Sequence, residues 1–193
     1  FRLDGNINKD GIMVVTPFYE PFQFYHNYKV NCLKASGKIK IGEKEIVFGD
    51  DAFGLLDWGR GILPYTHTWW WGNGSAIIDG KNFGFNIGVF GDTTYATENV
   101  IFYDDKAHKL GKISFQKDKK DYLKPWIFTS DDKRFEMTFT PIFDNHTQLF
   151  LLVAHNRCHQ VFGHFNGTAV LDDGKVIIVK DMLAFCEIAK NRW

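Results

Sequence analysis

In the stretch Asp57-Trp58-Gly59-Arg60-Gly61-Ile62-Leu63-Pro64-Tyr65-Thr66-His67-Thr68-Trp69-Trp70-Trp71-Gly72, four of the chain's six tryptophans stand beside an acid, an arginine and a histidine. Large aromatics next to ionisable groups are costly to bury unless each polar group finds a partner, so the segment reads as the wall of a ligand site. Taken as a strand, Tyr65 to Trp71 puts Tyr65, His67, Trp69 and Trp71 on one face and Thr66, Thr68 and Trp70 on the other. The first face offers aromatic planes for stacking, with a phenol and an imidazole to orient a ligand. The competing reading is a packed core with His67 hydrogen-bonded to a neighbour. Just before it, Asp57 and Arg60 stand three apart with Gly59 and Gly61 beside the arginine, a spacing that suggests tight turns and an Asp57–Arg60 ion pair. If buried, that pair would hold the guanidinium as a planar donor fork for a carboxylate or carbonyl, with Trp58 as an apolar wall. The alternative is an ion pair that only fixes the loop. The Gly-x-Gly is too short for a phosphate-binding fingerprint, and no helix follows it.

Further on, Phe83 to Val89 alternates hydrophobes with Gly84, Asn86 and Gly88. A bare strand face permits close contact, so something bulky, the tryptophan strand or a ligand, should lie over it with Asn86 as a polar handle. Glu98, in Thr97-Glu98-Asn99 at the entrance of an apolar strand, joins Asp57 as a candidate general acid or base. Its plainer reading is a hydrogen-bonded residue at a strand start. His155, His159 and His164 are not read as metal ligands: Arg157 lies on the same face as the first two, and no cysteine or carboxylate pattern completes a set. There is no G-x-S-x-G elbow and no cysteine in a nucleophile-like setting, and no metal or cofactor is expected.

Short period-2 segments must position these residues. They run Ile12 to Thr16, Phe22 to Cys32, Lys38 to Ile41, Ile46 to Phe48, Tyr65 to Trp71, Phe83 to Val89 and Asn99 to Tyr103. Gly111 to Phe115, Trp126 to Thr129, Phe135 to Pro141, Gln148 to His155, Gln160 to Leu171 and Lys175 to Glu187 follow. Turn residues part them, Asp172-Asp173-Gly174 being the best hairpin signal. Helical pattern is confined to Asp50 to Leu56, enough for one or two turns capped by Asp50 or Asp51. The fold expected is all-β: an antiparallel β-barrel or strongly curled sheet with few short helical turns, forming a single domain over residues 1–193. With 19 phenylalanines and 7 tyrosines, a barrel interior could be a lined cavity, and the alternative is a sandwich with a solid aromatic core.

Basic and acidic residues balance at 23 each, leaving no basic stripe for nucleic acid. The longest apolar run, Leu149 to Ala154, falls far short of the ~20 residues of a membrane-crossing helix. Cys32, Cys158 and Cys186 form no close pair, which fits a reducing, cytoplasmic setting and a soluble chain. The sequons at Asn73, Asn145 and Asn166 matter only in a secreted chain.

Leu55-Leu56-Asp57-Trp58-Gly59-Arg60-Gly61, Pro64-Tyr65, Trp69-x-Trp71-Gly72, Asn86-Ile87-Gly88, Thr97-Glu98-Asn99, Pro125-Trp126 and Gln160-Val161-Phe162-Gly163-x-Phe165-x-Gly167 together carry a resemblance. The chain resembles bacterial proteins of domain of unknown function 2804, from about Phe18 to Arg192-Trp193. Their greater length at the N-terminus implies that this is a C-terminal part. More distantly it is similar to lipocalin-like proteins that include carotenoid hydratases, which implies a β-barrel and an apolar ligand. Those hydratases carry Asp-His-x-Trp-Gly where this chain reads Leu55-Leu56-Asp57-Trp58-Gly59, so the histidine of that stretch has no counterpart and the resemblance does not extend to their mechanism of water addition.

The leading expectation is a domain that binds a hydrophobic or lipid-like small molecule. Trp58, Trp69 and Trp71 would be its walls, Arg60 would orient a polar end, and Tyr65, His67 and Asn86 would stand beside them. The rival is an isomerase or hydratase-type enzyme with Asp57 or Glu98 as acid or base and Tyr65 or His67 shuttling the proton. The third is a structural half whose aromatic patch is sealed by an N-terminal part of the same protein.

Overall fold

The computed structural model describes residues 1–5, 8–90 and 96–192. Trp193, the last residue of the sequence resemblance, lies outside them. Among the described residues there are fifteen strands and no helix. The larger sheet has nine antiparallel strands: β7 (Thr66–Ile78), β8 (Lys81–Phe90), β9 (Val100–Tyr103), β10 (Lys106–Lys109), β11 (Ile113–Gln116), β12 (Trp126–Ser130), β13 (Phe135–Phe150), β14 (His155–Val170) and β15 (Val176–Arg192). Their spatial order is β10-β9-β8-β7-β15-β14-β13-β12-β11. Register shifts between Pro141 and Phe143 and between Phe165 and Gly167 bend the long strands, as bulges do. The curl brings the two ends of the sheet together. Arg134, in the turn after β12, donates to Lys109 O at the end of β10 (2.9 Å) and to Val170 O at the end of β14 (2.9 Å).

The concave face is filled, not hollow. Phe83, Phe85, Trp126, Phe128, Phe135, Phe139 and Phe165 are completely buried there, with rings packed at angles. The aromatic content that suggested a lined barrel cavity therefore builds a solid core inside a strongly curled sheet.

A smaller sheet lies against the convex side. β3 (Phe24–Ser36) is its spine, with β1 (Arg2–Asp4) and β2 (Ile12–Pro17) along one edge and β6 (Phe53–Ile62) along the other. β4 (Lys38–Ile41) and β5 (Lys44–Val47) form a separate hairpin. Alternation decides which side chains meet. Even residues of β7 and odd residues of β8 enter the core, so Trp69, Trp71, Asn73 and Gly84, Asn86, Gly88 turn toward β3. A bulge opposite Leu55 puts Asn31 and Cys32 side by side, with Cys32 at φ 54, and both reach the large sheet. The bare face of β8 is covered, but by β3 and Glu98, since the tryptophan strand pairs beside β8 in the same sheet: a methyl on Gly84 would lie 2.7 Å from Cys32 Sγ, and one on Gly88 would overlap Glu98 Oε1.

Two segments differ from expectation. Asp50 to Leu56 forms no helix; a turn at Asp50–Asp51 leads into β6, which carries the whole Asp57–Arg60 segment. Gln148 to His155 is not one strand, because the chain reverses at 151–154 between β13 and β14.

Candidate functional site

Between the two sheets lies a cavity of about 220 Å³, walled by Trp69, Trp71 and Phe90 from the large sheet and by Tyr25, Asn27 and Lys29 from the small one, with Asp57, Glu98 and Glu187 on its margin. The β3 register produces this. Tyr25, Asn27, Lys29 and Asn31 alternate onto its inner face, opposite Gly61, Gly59 and Asp57 of β6 for the first three. Gly59 and Gly61 make no turn; a methyl on Gly59 would overlap the Tyr25 hydroxyl, so their bareness lets β3 side chains lie close over β6.

Lys29 is the centre of the polar end, only 4% exposed. Its Nζ donates to Glu98 Oε1 (3.2 Å), pairs with Asp57 Oδ2 (3.5 Å) and sits 4.0 Å from the Trp71 ring centroid, a cation–π contact. Asn27 Nδ2 donates to the other oxygen, Glu98 Oε2, at 2.5 Å. Behind this cluster three buried amides tie the sheets together. Asn31 and Asn73 exchange hydrogen bonds (2.9 and 3.0 Å), and Asn73 Nδ2 donates to Asn86 Oδ1 (3.1 Å). That same oxygen accepts from Trp71 Nε1 (2.7 Å), while Asn86 Nδ2 donates to Glu98 O (2.9 Å). Asn86 is thus the residue that fixes both the indole and the segment carrying Glu98. On the other wall, Trp69 Nε1 donates to Glu187 Oε1 (2.6 Å) and Gln160 Nε2 to Glu187 Oε2 (3.1 Å).

Electrostatics follow from this crowding. Burial holds the Asp57 carboxyl above the usual carboxylate range, Lys29 pulls it back down, and the like charge of Glu98 pushes it further up. Burial also raises the Tyr25 phenol to about 12, with Asp57 and Glu98 adding to it. Lys109, whose Nζ donates to Thr97 Oγ1 (2.7 Å) beside Glu98, is lowered by burial against the attraction of Glu98.

The structure gathers some of the expected residues and disperses others. Asp57, Glu98, Trp69, Trp71 and Asn86 converge on the cavity or its supports. Trp70 borders it too, but its indole turns to the opposite face and meets Phe115 edge-on. His67 is buried at the far end, stacked on Trp69 with its Nδ1 2.9 Å from Pro64 O. Tyr65 precedes β7, is largely exposed, and donates its hydroxyl to Val153 O (3.1 Å). Trp58 and Arg60 lie on the outer face of β6, opposite Tyr28 and His26, Trp58 packing edge-on against His26. The expected Asp57–Arg60 pair does not form: residues three apart in a strand point to opposite faces, and Asp57 pairs with Lys29 instead. Among the described residues no three His, Cys, Asp or Glu side chains are placed to hold a metal. No helix among them is long and apolar enough to cross a membrane.

Sequence reasoning missed Tyr25, Asn27, Lys29 and Glu187. Alternation along Phe22 to Cys32 did place Tyr25, Asn27 and Lys29 on one face, and three polar residues there were a readable sign that this face meets something other than a core.

The chain belongs to the family described as domain of unknown function, DUF2804, whose model matches residues 1–193. The sequence matches no curated protein. Among solved structures it is similar to kievitone hydratase from Nectria haematococca, with 10% identity and a TM-score of 0.45, over 89% of this chain and 54% of that one. The chain therefore spans about half the length of that enzyme.

Proposed function

We propose that this DUF2804 chain binds a small, mainly apolar molecule in the cavity between its sheets, with the molecule's polar end toward Lys29, Asp57 and Glu98. The observation that carries the reading is a cavity with indole walls and one polar end, held by a buried hydrogen-bond network. Trp69 and Trp71 are the walls, and Asn86 acts by holding Trp71 in place. Ligand-observed NMR with benzyl alcohol tests it. Eight heavy atoms at roughly 0.5 kcal/mol each give about 4 kcal/mol, a Kd near 1 mM. Trp69→Ala and Trp71→Ala should abolish the signal, and binding that survives both truncations would overturn the reading.

A second reading is favoured by one observation: a carboxyl held above its ordinary range beside a high-pKa phenol is a proton donor poised at the cavity. In that isomerase or hydratase-type enzyme Asp57 is the acid, and Tyr25, rather than Tyr65 or His67, relays the proton. A third rests on the outer face of the small sheet, where Met13, Val15, Trp58 and Ile62 are exposed, and has a further lobe covering it.

A further inference from the structure

The charge inventory of the cavity is lopsided. Asp57 on β6, Glu98 in the segment before β9 and Glu187 on β15 border it, and the one cation among its described lining residues is Lys29. Lys29 is shared between Asp57 and Glu98. No ammonium or guanidinium of the described residues lies within 4.0 Å of Glu187, whose two oxygens are held by the neutral donors Trp69 and Gln160. Lys109 offsets part of the Glu98 charge from outside the lining. An excess of carboxylate in a partly desolvated, aromatic-walled space is unfavourable until a proton or a cation neutralises it.

A second observation is independent of the charges. Asn27 lines the cavity, is 95% buried, and its Oδ1 has no hydrogen-bond donor. The amide's orientation is set by its Nδ2, which is committed to Glu98 Oε2, so the unmet group is an acceptor. Buried acceptors without donors are rare and costly. An acceptor, an excess of carboxylates and indole faces share one complement: a positively charged N–H donor on an apolar body. The protein's own ammonium already rests this way, Lys29 lying over Trp71 between two carboxylates.

Resting on the proposed binding role, we infer that the ligand class of this cavity is a protonated amine carried on an aromatic or aliphatic body. The ammonium donates to Asn27 Oδ1 and is neutralised by Asp57 and Glu187, and its apolar body lies against Trp69, Trp71 and Phe90. Neutral alcohols fill the same walls and turn their hydroxyl to the same end without neutralising its charge, and carboxylates are repelled.

Calorimetry or ligand-observed NMR with benzylamine, benzyl alcohol and benzoate on the full chain decides it. Benzylamine should bind at least ~10-fold tighter than benzyl alcohol, and benzoate weakest. Its affinity should rise with pH as Asp57 ionises above the ordinary carboxylate range, while that of benzyl alcohol stays flat. Asp57→Asn and Glu187→Gln should each lower the ratio of benzylamine to benzyl alcohol affinity several-fold, which separates lost charge from lost folding or lost walls. Benzyl alcohol or benzoate binding as tightly as benzylamine would overturn this inference and leave the binding role standing. Failure of all three probes at millimolar concentration would overturn the binding role itself.

Discussion

Replacing Asn86 with alanine tests whether buried amides hold the site together. Asn86 is fully buried, and its side chain makes three hydrogen bonds: from Trp71 Nε1 (2.7 Å), from Asn73 Nδ2 (3.1 Å) and to Glu98 O (2.9 Å). Each bond is worth about 1 kcal/mol net, and the substitution strands two donors where water has little access, so the expected loss is about 3–5 kcal/mol. For a domain whose whole stability is of order 10 kcal/mol, that is a third or more. Urea unfolding followed by tryptophan fluorescence measures it. Trp71→Phe removes one of the same bonds and should cost about 1 kcal/mol from that bond plus lost packing. Because both changes delete the Trp71–Asn86 contact, the double variant should be less destabilised than the sum by about 1 kcal/mol. An Asn86→Ala loss below about 1 kcal/mol, or strict additivity with Trp71→Phe, would refute the claim that this network ties the sheets together.

A methyl at position 88 would overlap Glu98 Oε1, so Gly88→Ala should displace the carboxylate, cost about 1–3 kcal/mol and weaken benzylamine binding; thermal melts and calorimetry check both. The Asp57 carboxyl is raised by burial, so the folded chain keeps this proton to higher pH than the unfolded chain. Its stabilising contribution is full below the unfolded value of 3.8 and is lost as pH rises through the folded one, and Asp57→Asn should flatten that fall in denaturant titrations between pH 3 and 7. If neither Asp57→Asn nor Glu98→Gln alters the pH dependence, the proton-donor reading loses its support. His159 is the opposite case, lowered by burial despite its contact with Asp144 Oδ2 (2.8 Å). Its contribution is present above the ordinary histidine range and lost on acidification, so His159→Gln should flatten the acid limb of stability below that range.

Period-2 alternation made the all-β class and most strands legible, because each strand has one face in the core and one toward the second sheet or solvent. Where it failed, the reason is local. β6 escaped notice because Gly54, Gly59 and Gly61 interrupt it with residues that usually punctuate turns. They are bare because Leu3, Tyr25 and the Phe24 backbone press on them from neighbouring strands, a packing demand no local signal reveals. The turn at 151–154 was hidden for the reverse reason: Leu151, Leu152 and Val153 are apolar yet exposed, so the hairpin tip carries no turn chemistry.

The site was half legible for a related reason. Alternation within one strand correctly put Trp69 and Trp71 on one face, but it says nothing about which strand lies opposite. The wrong partner for Asp57 came from reading a three-residue spacing as a turn; once the segment is a strand, Arg60 must face away and the register brings Lys29 across. The aromatic composition likewise could not say which side of a curled sheet is hollow. Phenylalanines fill the concave side, and the space that remains lies on the convex side, where the second sheet cannot close down on the paired indoles. What keeps that space polar at one end is a set of asparagines that looked ordinary in sequence. Asn73 read there as a glycosylation triplet, yet it is buried between Asn31 and Asn86. An amide trio in an apolar interface stabilises little by itself, but it allows only one register between the sheets, since any slip leaves several donors and acceptors unpaired. That register is what sets Lys29 over Trp71 and leaves the Asn27 oxygen without a donor.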